Sequence, residues 1–240
     1  MNRPCLFITD CHVSEQNGNV NAFFEMLDLV QNLDVDLVFL GDIFDLWIGF
    51  SRYQTSFHTN FLNWCKQEKR KRMIGFIEGN HEFFIKSKYG DCFSWCSEKG
   101  YCLRGLQLSH GDLVNREDEN YLKFRRLTKN KLTRLLVSVI PKGPFLVEKL
   151  KVRMNQKGNY SQYRFPVDAI ESFADQSKFG QGVIFGHFHH ERSWKTRKGV
   201  KIWSLPAWLD DGKIGVLIYR QNKPHLETLT WSDLPSFLDP

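Results

Sequence analysis

The chain has 240 residues and no apolar run that approaches the roughly 20 residues needed to cross a bilayer as a helix. Its N-terminal apolar patch, Pro4 to Ile8, is too short for a signal peptide, so a cytoplasmic protein is expected. Cys5, Cys11, Cys65, Cys92, Cys96 and Cys102 form no CxxC pair and no framework spacing, which points to buried thiols in a reducing compartment rather than to disulfides. Internal repeats and low-complexity tracts are lacking as well. What is there is apolar and aromatic: 42% hydrophobic and 14% aromatic residues exclude disorder, and the length fits a single domain, 1–240, with room for an insertion.

The formal charge of +6 is unevenly placed. Arg116 to Lys157 carries twelve Lys/Arg against four acids, so the remainder of the chain is slightly acidic and the basicity belongs to one segment. Within it Tyr121, Phe124, Leu127, Leu132, Leu135, Leu136 and Val139 recur at near-helical spacing, while Lys123, Arg126, Lys129 and Arg134 fall largely elsewhere. That pattern predicts a basic amphipathic helix. Ile140-Pro141-Lys142-Gly143-Pro144 breaks it, and Phe145 to Met154 is expected to begin another helix. Such a hairpin, at about 113–164, suits an anionic acylated substrate or an anionic membrane surface; a lid packed on the core with solvated lysines fits the pattern equally.

Short apolar runs elsewhere predict strands, and several end in polar groups of one chemical kind. Cys5 to Thr9 runs into Asp10-Cys11-His12, where an i, i+2 pair at a strand end directs a carboxylate and an imidazole to one side. Leu37 to Leu40 runs into Gly41-Asp42-Ile43-Phe44-Asp45, followed by Trp47, which could be core or could wall a substrate pocket; the pocket is taken here. Met73 to Ile77 leads to Glu78-Gly79-Asn80-His81-Glu82, Leu103 to Leu108 to Ser109-His110-Gly111-Asp112, and Val183 to Phe185 to Gly186-His187-Phe188-His189-His190. Five of the eight histidines thus follow predicted strands directly, a distribution that scattered core histidines would not show. Helices are expected at Asn21 to Val30 and about Ser56 to Lys69, and β-rich sequence returns at Lys201 to Leu205 and Ile214 to Tyr219. Helices between strands in the first half argue for an α/β sandwich.

A lone Gly-Asp after a strand is usually a turn. Five strand edges of complementary ligand type in one chain ask for more: two cations roughly 3.5–4 Å apart need one bridging carboxylate and flanking N/O donors. Asp42 is the natural bridge. The ordered set Asp10/His12, Gly41-Asp42, Gly79-Asn80-His81-Glu82, His110-Gly111-Asp112 and Gly186-His187-Phe188-His189 resembles the calcineurin-like metallophosphoesterases. The resemblance implies an αββα sandwich of two mixed β-sheets flanked by helices, with a helical insertion or lid. It also implies two divalent metal ions, manganese before iron, zinc or cobalt, one held by Asp10, His12, Asp42 and His189 and the other by Asp42, Asn80, His110 and His187. His81 would then serve catalysis as proton donor, beside Asp42.

Within that superfamily the chain looks like the UDP-2,3-diacylglucosamine hydrolases of lipid A synthesis. The residues that carry this are Gly41 to Asp45 with Trp47-Ile48-Gly49, Tyr121 to Arg126 in the basic segment, and Pro206-Ala207-Trp208. One departure is clear: where that family usually has Arg-Asp, this chain has His81-Glu82, the form of general phosphoesterases. The resemblance implies cleavage of the diphosphate to UMP and 2,3-diacylglucosamine 1-phosphate, with Trp47, His81, Asp118, Arg125 and Arg153 at the substrate. A phosphodiesterase, a nucleotide phosphatase or a nuclease using the same site are the alternatives; no nucleic-acid partner is expected, peripheral contact with an anionic inner-membrane face is, and the oligomeric state is open.

Overall fold

A computed structural model describes residues 3–116, 118–141, 143, 165–177 and 181–239. The first strands are four-residue apolar runs buried on both faces: β1 (Cys5–Ile8), β2 (Asp36–Phe39) and β4 (Ile74–Ile77). They lie parallel, which places all three of their C-terminal ends at one edge. With β6 (Trp95–Ser97), β12 (Lys213–Arg220) and β13 (Lys223–Thr230) they form a six-stranded mixed sheet in the order β13-β12-β1-β2-β4-β6. A second sheet has the order β10-β11-β9-β8-β7, built from β7 (Tyr101–Leu103), β8 (Leu106–Ser109), β9 (Gly182–Phe185), β10 (Arg192–Lys195) and β11 (Lys201–Ser204). β8 and β9 are parallel, so their ends too share an edge. Two short strands, β3 (Trp47–Ile48) and β5 (Glu82–Phe83), pair in the loops above.

Strand alternation explains the layering, because successive side chains leave opposite faces. Leu6, Ile8, Leu37, Phe39, Ile74 and Phe76 point outward to pack on α1 (Val20–Val30) and α2 (Ser56–Glu68), whose buried faces are Phe23, Met26, Leu27, Val30 and Phe61, Leu62, Cys65. Cys5, Phe7, Val38, Leu40 and Ile77 point the other way and meet Leu106, Leu108, Ile184 and Trp203 of the second sheet. The far face of that sheet, Val183, Phe185 and Ile202, is covered by Ile170 and Ala174 of α6 (Val167–Asp175). Helix, sheet, sheet, helix is the αββα arrangement that the resemblance implied.

Three expectations change. The predicted strand Leu103 to Leu108 is a hairpin: Arg104 and Gly105 both have positive φ, 48° and 81°, as a two-residue turn of matching twist requires, and Leu103 pairs with Leu106. The predicted single basic helix is two, α4 (Glu119–Thr128) and α5 (Lys131–Val139), because the Asn130 side chain accepts from Thr133 N–H and starts a new helix. Trp47 is core, 0% exposed: its ring stacks on His58 at 5.4 Å and its indole N–H donates to Gln54 at 2.7 Å, so it does not wall a pocket. The helix expected from Phe145 to Met154 lies outside the described residues.

Space is tight where β4 meets β6. A Cβ on Gly75 would stand 2.1 Å from the Trp95 ring, which is itself stacked on Tyr101. Gly75→Ala should therefore lower stability by about 1–3 kcal/mol through overpacking, read as an earlier midpoint in denaturant; an unchanged midpoint would show that the ring moves aside freely.

Candidate metal centre

The loops that follow β1 and β2 run side by side, with Asp10 N–H, His12 N–H and Val13 N–H donating to the carbonyls of Gly41, Asp42 and Ile43 at 3.1, 3.0 and 2.9 Å. Across the edge, Gly186 N–H donates to His110 O at 2.8 Å and joins the loops after β8 and β9. The loop after β4 joins these four through Glu82, whose carboxylate accepts from both Asp42 N–H and Gly79 N–H.

The side chains do not converge by strand pleat. Asp10, His12, Asp42, His187 and His189 all have left-handed backbones, with φ between 43° and 67°. Such conformations cost of order 1–3 kcal/mol each and persist where surrounding structure fixes them, commonly at functional sites. Two glycines make the approach possible: a Cβ on Gly79 would lie 2.2 Å from Asp42 Oδ1, and one on Gly41 2.7 Å from Gly79 Cα.

The result is three interlocking groups whose ligand atoms lie within 4.8 Å of one another: Asp10, His12 and His189; His12, Asp42 and His81; Asp42, His110 and His187. Asp42 Oδ2 is 3.4 Å from His110 Nε2, 3.9 Å from His81 Nε2 and 4.0 Å from His12 Nε2. Asn80 Oδ1 joins at 3.1 Å from His110 Nε2. Asp10 and Asp42 are 0% and 2% exposed.

Each ring is aimed by the atom turned away from the centre. His110 Nδ1–H donates to the Leu40 carbonyl at 2.7 Å, and His81 Nδ1–H to the carbonyl of Asp45, which leaves both Nε2 atoms inward. Asp45 therefore acts through its backbone. Asp10 Oδ2 accepts from the Thr9 hydroxyl at 2.6 Å and from His187 N–H at 2.8 Å, while its buried Oδ1 has no hydrogen-bond partner among the described residues and lies 3.5 Å from His189 Nε2. An orphaned buried carboxylate oxygen beside an imidazole is what a cation would satisfy.

Electrostatics divide the ligand rings into two kinds. Burial, then the His81 ring, pulls His12 down to about 4, and burial with the His110 charge does the same to His187. Neutral imidazoles are what a metal binds. Burial also pulls on His110, but Asp42 outweighs it and carries that ring up to about 10; the Asp42 carboxyl is correspondingly held well below its usual range against its own burial. Oxygen and nitrogen donors in this mixture suit manganese, iron, zinc or cobalt. The residues present fit two divalent ions.

Residues 3–191 match the calcineurin-like phosphoesterase family. The chain belongs to that family. Membership carries a metal-dependent phosphoesterase with a dinuclear divalent centre. The UDP-2,3-diacylglucosamine hydrolase of Shewanella sp. (strain MR-4) is 27% identical over 222 residues, 88% of this chain and 92% of that protein. The protein of the same name from Psychromonas ingrahamii is 33% identical over 144 residues, 57% of this chain and 58% of its own. Among solved structures, a dimetal phosphatase from Danio rerio aligns over 95% of this chain and 99% of that one, with a TM-score of 0.46 and 11% identity.

The expected substrate residues of this phosphoesterase scatter. His81 is in the cluster. Asp118 is exposed and caps α4, accepting from Tyr121 N–H at 2.9 Å. Arg125 turns inward to Asp112 at 2.9 Å. Arg153 lies outside the described residues. Glu82 is the residue whose part the sequence under-reads: 0% exposed, its carboxylate accepts from Asp42 N–H, Ile43 N–H and Gly79 N–H, all at 2.8 Å, and so ties the Asp42 loop to the Asn80 loop. In Glu82→Gln the amide must oppose one of these donors with its own N–H. Metal affinity should fall about 10–100-fold, as for other groups that orient ligands, measured by manganese titration; undiminished affinity would remove Glu82 from the site's support.

Proposed function

We propose that this phosphoesterase cleaves the diphosphate of UDP-2,3-diacylglucosamine to UMP and 2,3-diacylglucosamine 1-phosphate, with Asp10, His12, Asp42 and His189 holding one ion and Asp42, Asn80, His110 and His187 the other. The observation that carries the chemistry is Asp42 Oδ2, within 4.0 Å of three imidazoles from three different loops. Two bound ions supply an activated water and neutralise charge on phosphoryl oxygens during an in-line displacement. Manganese is the ion we expect there. His81, held by the Asp45 carbonyl, keeps Nε2 toward the centre, where a protonated ring can donate to the departing oxygen.

The substrate rests on the α4–α5 hairpin and on the relatives' names. Six large apolar side chains stand out of it into solvent: Phe124, Leu127, Leu132, Leu135, Leu136 and Val139, with Leu127 70% exposed. Exposed apolar side chains interspersed with Lys123, Arg126, Lys131 and Arg134 suit acyl chains attached to an anionic head. Beside it a cavity of about 250 Å³, lined by Glu78 and Glu98 as well as by Lys99 and Arg126, offers the last two to an anionic head group. Because such a lipid resides in a bilayer, the same face would meet the anionic inner surface of the membrane from the cytoplasm; among the described residues no helix is long and apolar enough to cross it. The hairpin is in this reading a substrate-facing insertion of one domain, at about 113–164.

Purified protein with manganese should release UMP from the diacylated nucleotide sugar; turnover of simple phosphodiesters without UMP release would leave the general phosphoesterase that His81 in place of arginine also fits. Asp42→Ala should abolish manganese binding and turnover together, and near-normal turnover would refute the bridging role. Leu127→Asn should raise KM for the diacylated substrate about tenfold, the loss of part of one buried leucine, and leave hydrolysis of a water-soluble phosphodiester unchanged; equal effects on both would separate the apolar face from the lipid.

A further inference from the structure

Tyr121 and Arg125 of α4 and Lys129, which caps its C-terminus, are spaced four residues apart and span about 12 Å along its axis. All three are bound to the loops that carry metal ligands. The Tyr121 hydroxyl donates to Asp112 Oδ2 at 2.5 Å, and Arg125 pairs with the same oxygen at 2.9 Å while donating to the carbonyl of Glu98 at 2.8 Å. Lys129 donates to the carbonyl of Gly79, with its ammonium 5.1 Å from the Phe83 ring and close to the buried Glu78 carboxylate. Asp112 follows His110 by two residues, and Gly79 directly precedes Asn80. His110 Nε2 and Asn80 Oδ1 are the two atoms that lie 3.1 Å apart in the centre.

A solvated basic helix would not look like this. The Arg125 side chain is 10% exposed and its guanidinium faces a carboxylate and a carbonyl, and Lys129 holds the carbonyl of Gly79, a residue that Glu82 already holds by its N–H. The other end of the hairpin is anchored as well: Arg52 donates to the carbonyls of Ser138 and Ile140, and the Tyr53 hydroxyl to Val137 O at 2.8 Å. The hairpin is a brace fixed at both ends, with its apolar face outward.

We propose that α4 is a positioning element for one of the two ions: through Lys129 on the Gly79 carbonyl and through Tyr121 and Arg125 on Asp112, it sets the separation of Asn80 from His110. The inference rests on the dinuclear assignment made above. Arg125 and Lys129 are then positioning residues rather than phosphate ligands, and a substrate that moves the hairpin acts on the affinity of the ion shared by Asp42, Asn80, His110 and His187. The ion at Asp10, His12 and His189 hangs on other loops and is spared.

The test is manganese titration of the full chain by calorimetry and by electron paramagnetic resonance. The unaltered protein should bind two ions and show a spin-coupled pair. Lys129→Met, which keeps the aliphatic stem and loses the donor, should bind one ion with unchanged affinity and the second about 10–100-fold more weakly, giving an isolated-ion signal where the unaltered protein is coupled. Lys129→Arg, which restores a donor, should recover part of the second affinity. Tyr121→Phe, which removes one hydroxyl, should show the same selective loss to a smaller degree. Lys129→Met and Tyr121→Phe binding both ions normally, or losing both equally, overturns the positioning role. An unaltered protein that binds fewer than two ions overturns the dinuclear assignment instead.

Discussion

Asp42 is a carboxylate removed from water and faced by imidazoles, and most of the upper edge of the molecule is arranged around that constraint. Burying such a charge costs several kcal/mol unless close partners offset it. His81 N–H donates to its Oδ1 at 2.9 Å, the ring of His110 lies on its Oδ2, and Glu82 grips its own N–H from beneath. Its loop and that of Asn80 can touch only because Gly41 and Gly79 lack side chains. Asp10, His12, His187 and His189 share the left-handed backbone of Asp42. A divalent ion on each side of Asp42 would balance what the protein alone leaves unbalanced, including the orphaned Oδ1 of Asp10.

The layers beneath make that edge. Strands β1, β2 and β4 in one sheet and β8 and β9 in the other all end at it, because parallel strands share a direction and the two sheets pack through Phe7, Val38, Leu40, Leu108 and Ile184. Trp208 shows how the core and the site are joined: its indole packs edge-on against Phe23, and the N–H groups of Trp208 and Leu209 bind the carbonyls of Thr9 and Asp10. Residues that look like packing therefore hold a ligand loop in place.

The centre was legible in the sequence because ligand chemistry there interrupts apolar runs: an aspartate or histidine one glycine after Phe39-Leu40 or Val183-Ile184-Phe185 has little other reason to stand at a buried edge. All seven residues expected as ligands, with His81, are brought together. The means was not legible. Pleat geometry suggested that Asp10 and His12 converge as i, i+2 neighbours, whereas positive φ at both turns them. Trp47 was misread because a tryptophan next to a charged loop has the composition of a pocket wall, whereas the rings of Phe44, His58, Phe61 and Phe76 and the Gln54 side-chain oxygen make it core. Arg104-Gly105 hid a hairpin turn that Asn-Gly would have announced. The basic segment misled through its charge: half of the meaning of Arg125 and Lys129 lies in Asp112 and Gly79, far away in the chain and invisible to periodicity.

The central claim is that one carboxylate serves two ions, and anomalous diffraction from crystals grown with manganese tests it most directly. The account predicts two manganese peaks roughly 3.5–4 Å apart with the Asp42 carboxylate between them, His189 on one and His110 and Asn80 on the other. A single peak, or two peaks with Asp42 bound to only one, would contradict it.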